Sequence, residues 1–292
     1  VVGTLGNESF EDIIIYIIHI YNKLIAMYIV FMAAGISSRY GGKLKQMAKV
    51  GVNGETLIEV SVNQALTVPF KKIIFITNEI TEHELVKIFE NEYKGVPVMY
   101  VRQEWDSSKR NRPWGTTAAV CSLTRKIKEP IIIVNSDDIY GAKNFKRGYE
   151  LLKETGNNII GGCVLEKTMP VDEETSVNRA LIGVDEETNL VFGIQELCGL
   201  TVKENKDILH LQASVNFIGL RYQTLDYLKA ILDDFQETHD DPDIECFLPN
   251  DLNYLISNKL ISMNYFEIEN SVCGITYPGD EKHVKLMVSL YG

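Results

Sequence analysis

Two short stretches gather the side chains that could do chemistry. "FMAAGISSRYGGKLKQM", residues 31–47, holds Gly35, Gly41 and Gly42, the hydroxyls of Ser37 and Ser38, and the cations Arg39, Lys43 and Lys45. Glycines permit positive φ and close backbone approach, and hydroxyls and backbone amides donate to phosphate oxygens. Arg39 adds a planar fork and Lys45 a point charge. The spacing fits neither a P-loop, which ends in GK[ST], nor the dinucleotide fingerprint G-x-G-x-x-G. On its own the loop is equally consistent with a glycine-rich turn bearing solvated cations. The second stretch, "IIIVNSDDIYG", ends an apolar run with Asp137 and Asp138 side by side. Side chains alternate along a strand, so the two cannot both face one way, and like charges repel. A divalent cation relieves that repulsion, and Mg²⁺ takes one or two carboxylates plus substrate phosphates. An acidic turn capping the next helix is the plainer account. Together, a cationic glycine loop and a carboxylate pair point to a nucleoside triphosphate with Mg²⁺.

The elements that must position these groups alternate. "YIVFM" reads as a buried strand, "GETLIEVSVNQAL" as a helix and "KKIIFIT" as a strand. "TEHELVKIFENEY" is expected to open with a capping box from Thr81 to Glu84. "VPVMYV", the helix "GTTAAVCSLTRKI" and the strand "PIIIVN" complete the series. Such alternation implies a mostly parallel sheet with helices on both faces. After Gly156 the runs "NNIIGGCVL", "ALIGVD", "LVFGIQEL" and "ILHLQASVNFIGL" predict a β-rich second half. Two helices ("YQTLDYLKAILDDF", "PNDLNYLISNKL"), the strand "SMNYFEIE" and a helix near "EKHVKLMVSLY" follow. In open α/β sheets ligands bind beyond the carboxyl ends of strands. The loop after the first strand, "RQEWDSSKRNRPWGTT" and "NSDDIYG" all fall there. Trp105 and Trp114 flank the middle segment, as a nucleoside wall or as loop anchors.

A formal net charge of −11 disfavours nucleic-acid polymers and anionic membranes as partners. Cys121, Cys163, Cys198, Cys246 and Cys273 lack metal or redox spacing and read as reduced thiols of a cytoplasmic protein. The apolar run Ile13–Tyr21 contains His19, is preceded by acidic residues and is too short to span a bilayer. Residues 1–26 are therefore expected to be an extension to a single domain over 27–292. That domain divides into a nucleotide-binding half (27–156) and an acceptor-binding half (157–292).

"MAAGISSRYGGKLKQ", with "RPWGT", "NSDDIYG", "SVNFIGL" and "CGITYPGDEKHV", resembles the sugar-1-phosphate nucleotidyltransferase-like family, whose loop signature is L-x-A-G-x-G-[ST]-R followed by lysine. The resemblance covers roughly residues 28–290. It implies an α/β, Rossmann-like, mostly parallel (mixed) sheet flanked by helices, with a β-rich acceptor lobe. It implies that Ala33, Ala34, Gly35, Ser38 and Arg39 wrap the triphosphate and that Lys45 meets the α-phosphate. Gln103, Gly115 and Thr116 would hold base and ribose. Asp137 would hold Mg²⁺, with Asp138 near the ribose or the metal's waters, and Glu196 and Asn216 would bind the phosphorylated acceptor. Four departures stand out: Ser37 for a signature glycine, the extra Lys43, Leu197 for an acceptor-binding lysine, and Gly274 for a second metal aspartate. Asp280 or Asn270 could replace the last.

The reaction implied is in-line displacement at the α-phosphorus by an acceptor phosphate oxygen, with release of pyrophosphate. Arg39, Lys45 and Mg²⁺ would neutralise charge, and no general base is needed. UTP with a hexose- or hexosamine-1-phosphate is the favoured pair, with dTTP second. A CTP-dependent cytidylyltransferase for a phosphorylated alcohol or phosphonate, and a catalytically silent nucleotide-binding protein, stay open. So does homo-oligomer formation.

Overall fold

The strand β1 (Tyr28–Met32) lies between β2 (Lys72–Thr77) and β5 (Ile131–Asn135), parallel to both. The computed structural model describes residues 26–35, 40, 44–269, 272–275 and 279–291. The expected extension, apart from Ala26, therefore lies outside the described residues, as do Ser38, Arg39 and Asn270.

β1, β2 and β5 carry unbroken apolar runs because each is covered on both faces. Val30, Ile74, Ile131 and Ile133 join one buried cluster, while Ile29, Phe31, Phe75, Ile132 and Val134 join another. The period of two thus splits the same strands between two layers. The second cluster is covered by α1 (Leu57–Ala65), α2 (Glu79–Phe89) and, after β5, α4 (Ala142–Thr155). The first is covered by α3 (Thr116–Cys121), α5 (Tyr222–Thr238) and α6 (Leu248–Ser257). Two edge strands, β3 (Glu92–Tyr93) and β4 (Val96–Arg102), extend the sheet beyond β2.

Beyond β5 the sheet continues with β10 (Gln212–Leu220), β7 (Asn158–Val164) and β11 (Met263–Glu267). β10 runs antiparallel to both β5 and β7, so the sheet is mixed. The hairpin β8 (Val177–Val184) and β9 (Val191–Leu200) branches from β10. Apart from this sheet, β6 (Asp138–Ile139) pairs with β12 (Cys273–Gly274), and α7 (Glu281–Tyr291) follows. Among the described residues, no helix is long and apolar enough to cross a membrane.

Two expectations are corrected. The helix α2 begins at Glu79, not near Thr81, because Asn78 is its cap. Asn78 Oδ1 accepts the Thr81 amide at 2.9 Å, and Thr81 Oγ1 accepts the Asn78 amide at 3.0 Å. The expected helix over "GTTAAVCSLTRKI" stops at Cys121, and Arg125 adopts φ 66, which a helix cannot include.

Candidate active site

Beyond the carboxyl ends of β1, β4 and β5 lies a cavity of about 590 Å³. Its wall brings together Ala34 and Gly35 after β1, Gln103 after β4, Gly115 and Thr116 at the start of α3, and Asp137 after β5. Segments separated by a hundred residues thus meet at one sheet edge, as parallel strand order requires.

Gly35 presents open space: a Cβ built there meets nothing within 4 Å. The carbonyl of Ala34 is fixed by Asn78 Nδ2 at 3.0 Å, so the cap of α2 also secures the exit of β1. Ala33 is buried and gives its amide to the Ile76 carbonyl at 2.7 Å, which takes it out of the cavity wall.

The end of the cavity at Gly115 is built on a close approach. Gly115 has φ 96 and would press a Cβ to 2.5 Å from the Cys246 carbonyl oxygen. The Trp114 carbonyl accepts the Cys246 amide at 2.7 Å, and Gln103 Nε2 donates to the Gly115 carbonyl at 3.0 Å. Thr116 lines the cavity, but its hydroxyl also accepts the Leu248 amide at 2.9 Å and so holds the first turn of α6.

Sequence reasoning passed over what secures this end. Arg110 is 6% exposed and lies over the Trp114 ring, 3.4 Å from its centre. Its guanidinium donates to the carbonyls of Asp241, Ile244 and Arg112. Arg112 and Glu245 pair at 3.1 Å, and both line the cavity, as does Asn111. Trp114 is thus an anchor, with Phe235 edge-on at 6.1 Å, and is not part of the wall. A run of cations between two tryptophans was the available signal, but two of the carbonyls that bury Arg110 lie more than 130 residues away.

At the other end, Lys45 Nζ stands 3.6 Å from Asp137 Oδ2. The Asp137 side chain keeps a third of its surface open, and Lys45 is largely enclosed. Burial raises the Asp137 carboxyl above its usual range, and Lys45 pulls it back. Asp138 is pushed up to about 7, by burial first and then by the charge of Asp137, against the Asn135 hydrogen bond. A cation placed at the pair reverses both effects.

As alternation requires, Asp138 turns away from Asp137 and is not part of the cavity wall. Its Oδ1 lies over Gly274, 1.9 Å from where a Cβ would stand, and its Oδ2 accepts from Asn135 Nδ2 at 2.8 Å. A side chain at Gly274 therefore requires the Asp138 carboxylate to swing away and also presses on the Asp137 carbonyl oxygen, 2.7 Å from a Cβ there.

Glu196 and Asn216 are not brought to this cavity. Glu196 pairs across β9 with Ala180 and is raised by burial, while nearby Arg179 acts the other way. Asn216 sits at an irregularity of β10 with φ 58. Leu197 packs against the small apolar cluster of Leu165, Leu200 and Ala213. All five cysteines are free, four of them buried. Among the described residues, no group of three or more His, Cys, Asp or Glu side chains could hold a metal ion.

A mixed sheet covered by helices on both faces, with a cavity at the carboxyl edge of its parallel strands, can be compared with known proteins. Residues 42–176 match the family model described as nucleotidyl transferase. Three solved structures share the fold across nearly the whole chain. A Bacillus anthracis protein described as a glucose-1-phosphate thymidylyltransferase, in complex with a sucrose, is 12% identical with a TM-score of 0.67, covering 90% of this chain and 95% of its own. A UDP-glucose pyrophosphorylase complexed with UDP-glucose is 14% identical at 0.66, covering 91% and 99%. The inositol-1-phosphate CTP transferase from T. maritima is 12% identical at 0.61, covering 90% and 95%. No curated protein sequence matches the chain. The nucleotidyl transferase match covers a little under half of the chain, and at these identities the structural likeness is one of fold.

Proposed function

We propose that this chain is a Mg²⁺-dependent nucleotidyltransferase. It would move a nucleoside monophosphate from a triphosphate onto a phosphorylated small molecule, with UTP and a hexose- or hexosamine-1-phosphate as the favoured pair. The observation that carries the reading is the Lys45–Asp137 pair, 3.6 Å apart, at the cavity that also holds Gln103 and Gly115. A cation for the reacting phosphate and a carboxylate for a metal then lie together, opposite a base-binding end.

One open carboxylate fits Mg²⁺, which completes its shell with phosphate oxygens and water. Asp137 would hold it, and when bound it neutralises phosphate charge. Lys45 then turns its charge to the α-phosphate. Arg39 would bind the departing pyrophosphate, and the acceptor phosphate, already anionic, attacks without a general base.

The base preference rests on Gln103. One of the two protons on its nitrogen goes to the Gly115 carbonyl, and its oxygen accepts no hydrogen bond among the described residues. An amide oxygen accepts N3–H of uracil or thymine; cytosine has no proton at N3 and can reach the same oxygen only through its N4 amino group, so turnover decides between the two. Pyrophosphate release, measured over the four ribonucleoside triphosphates and dTTP with a panel of sugar 1-phosphates and alcohol phosphates, tests the reading. Turnover with CTP alone would favour the cytidylyltransferase, and no turnover with any pair would overturn the enzyme.

Lys45→Ala should weaken triphosphate binding by about threefold and cut turnover by about 100-fold, because a charge aimed at the reacting phosphate acts mainly in the transition state. Calorimetry and rate assays on the variant check both. Triphosphate should also bind far more weakly in chelator, where its negative charge meets Asp137 directly. Equal binding with and without Mg²⁺ would remove the metal from the site.

A further inference from the structure

Tyr140 follows the carboxylate pair and has no part in the chemistry above. It is 3% exposed, its ring held edge-on by Phe145 at 6.0 Å and Phe217 at 5.6 Å. The hydroxyl therefore has a fixed place, and three segments meet there. It accepts the Asn135 amide at 3.1 Å from the end of β5. It reaches the Val215 carbonyl at 3.0 Å and the Asn216 carbonyl at 3.4 Å in β10. Asp138 Oδ2 stands 3.5 Å away. A hydroxyl has one proton, and the shortest contact, to Val215, takes it.

The contacts in β10 fall where its register against β7 shifts, between Ser214 and Phe217. Such a bulge pulls backbone groups out of the ladder and re-aims a side chain. Here Asn216 takes φ 58 and its amide goes to Ser214 Oγ at 3.1 Å. The two displaced carbonyls turn to Tyr140. One buried oxygen thus joins the strand end that carries Asp137 and Asp138 to the bulge that presents Asn216.

We propose that Tyr140 is a positioning residue: its hydroxyl sets Asn216, and with it the phosphorylated acceptor, relative to the Asp137–Asp138 turn. The inference rests on the transferase reading and on the acceptor role that the resemblance implies for Asn216, which does not line the cavity but is joined through Tyr140 to Asn135, which does. In-line attack tolerates little misplacement, so a tie across the sheet acts on acceptor use and not on triphosphate binding.

The test is Tyr140→Phe in the full chain, which keeps the ring and removes the hydroxyl. Acceptor KM should rise about tenfold, the order of one lost hydrogen bond, with triphosphate Kd changed less than about twofold. Amide exchange over 214–217 should speed up by a similar factor, again the loss of one hydrogen bond. Unchanged acceptor KM and unchanged exchange in a folded variant would overturn the proposal, and so would equal losses for acceptor and triphosphate. If Tyr140→Phe does not fold, Ser214→Ala loosens the same bulge and is judged by the same split. If the wild-type chain turns over no acceptor, the transferase reading fails; the exchange measurement then decides the tie alone.

Discussion

Asp137→Asn is expected to lower Mg²⁺-dependent turnover by at least ~1,000-fold, the scale on which a metal-held charge at a phosphoryl centre acts. The substitution removes the one carboxylate on the cavity wall that faces Lys45. Without it the cation loses the carboxylate beside Lys45, and Lys45 loses its ion-pair partner. The fold should be indifferent, because burial already disfavours the charged carboxyl and an amide of the same shape fills the space. Asp138→Asn should be milder: that side chain faces Gly274 and Asn135, and an amide oxygen can still accept from Asn135. Pyrophosphate release across a Mg²⁺ titration, with thermal unfolding as control, checks both variants. Small, equal losses would sink the assignment of Asp137 to the metal.

Gly115→Ala is expected to destabilise the chain by about 3 kcal/mol, the sum of a positive-φ penalty and a hard overlap. The overlap is with backbone: the Cys246 carbonyl oxygen at 2.5 Å and its amide nitrogen at 2.9 Å. Neither can yield without breaking the bonds that close residues 241–246 over the cavity. Since Gln103 leans on the Gly115 carbonyl, triphosphate affinity should fall as well. Gly35→Ala is the control, because a Cβ there meets nothing. Urea unfolding of the two variants side by side gives the answer; equal stabilities would mean that the approach of Gly115 to Cys246 carries no constraint.

The sheet and the edge where the cavity lies were legible because both depend on local patterns. Apolar runs of five or six residues, bounded by glycine and polar loops, fit doubly covered strands, and helices between them favour parallel order. The composition of each loop was also legible, since Gly35, Gln103, Gly115 and Asp137 all stand at that edge. What sequence could not give is contact made through backbone atoms. Arg110 looks like one cation in a polar run, yet it is buried because carbonyls of residues 241 and 244 surround it. Asn78 outcompeted Thr81 as a cap because it also satisfies Ala34 across the sheet. Gly274 looked like a missing ligand; only the pairing of β12 with β6 reveals that Asp138 occupies its side-chain space.

That pairing has a consequence for how the molecule reaches its native state. β1, β2, β4 and β5 assemble through crossovers of a few tens of residues, so their loop-closure cost is met early and locally. The glycine-loop residue Tyr40 is buried with Ile139, Cys273 and Val284, and its hydroxyl donates to Glu281, 241 positions along the chain. Few contacts in the fold span so great a separation. Such a separation predicts that residues 272–275 and 279–291 dock late, onto parallel strands that have already paired. Until then Tyr40 and Asp138 lack their packing partners.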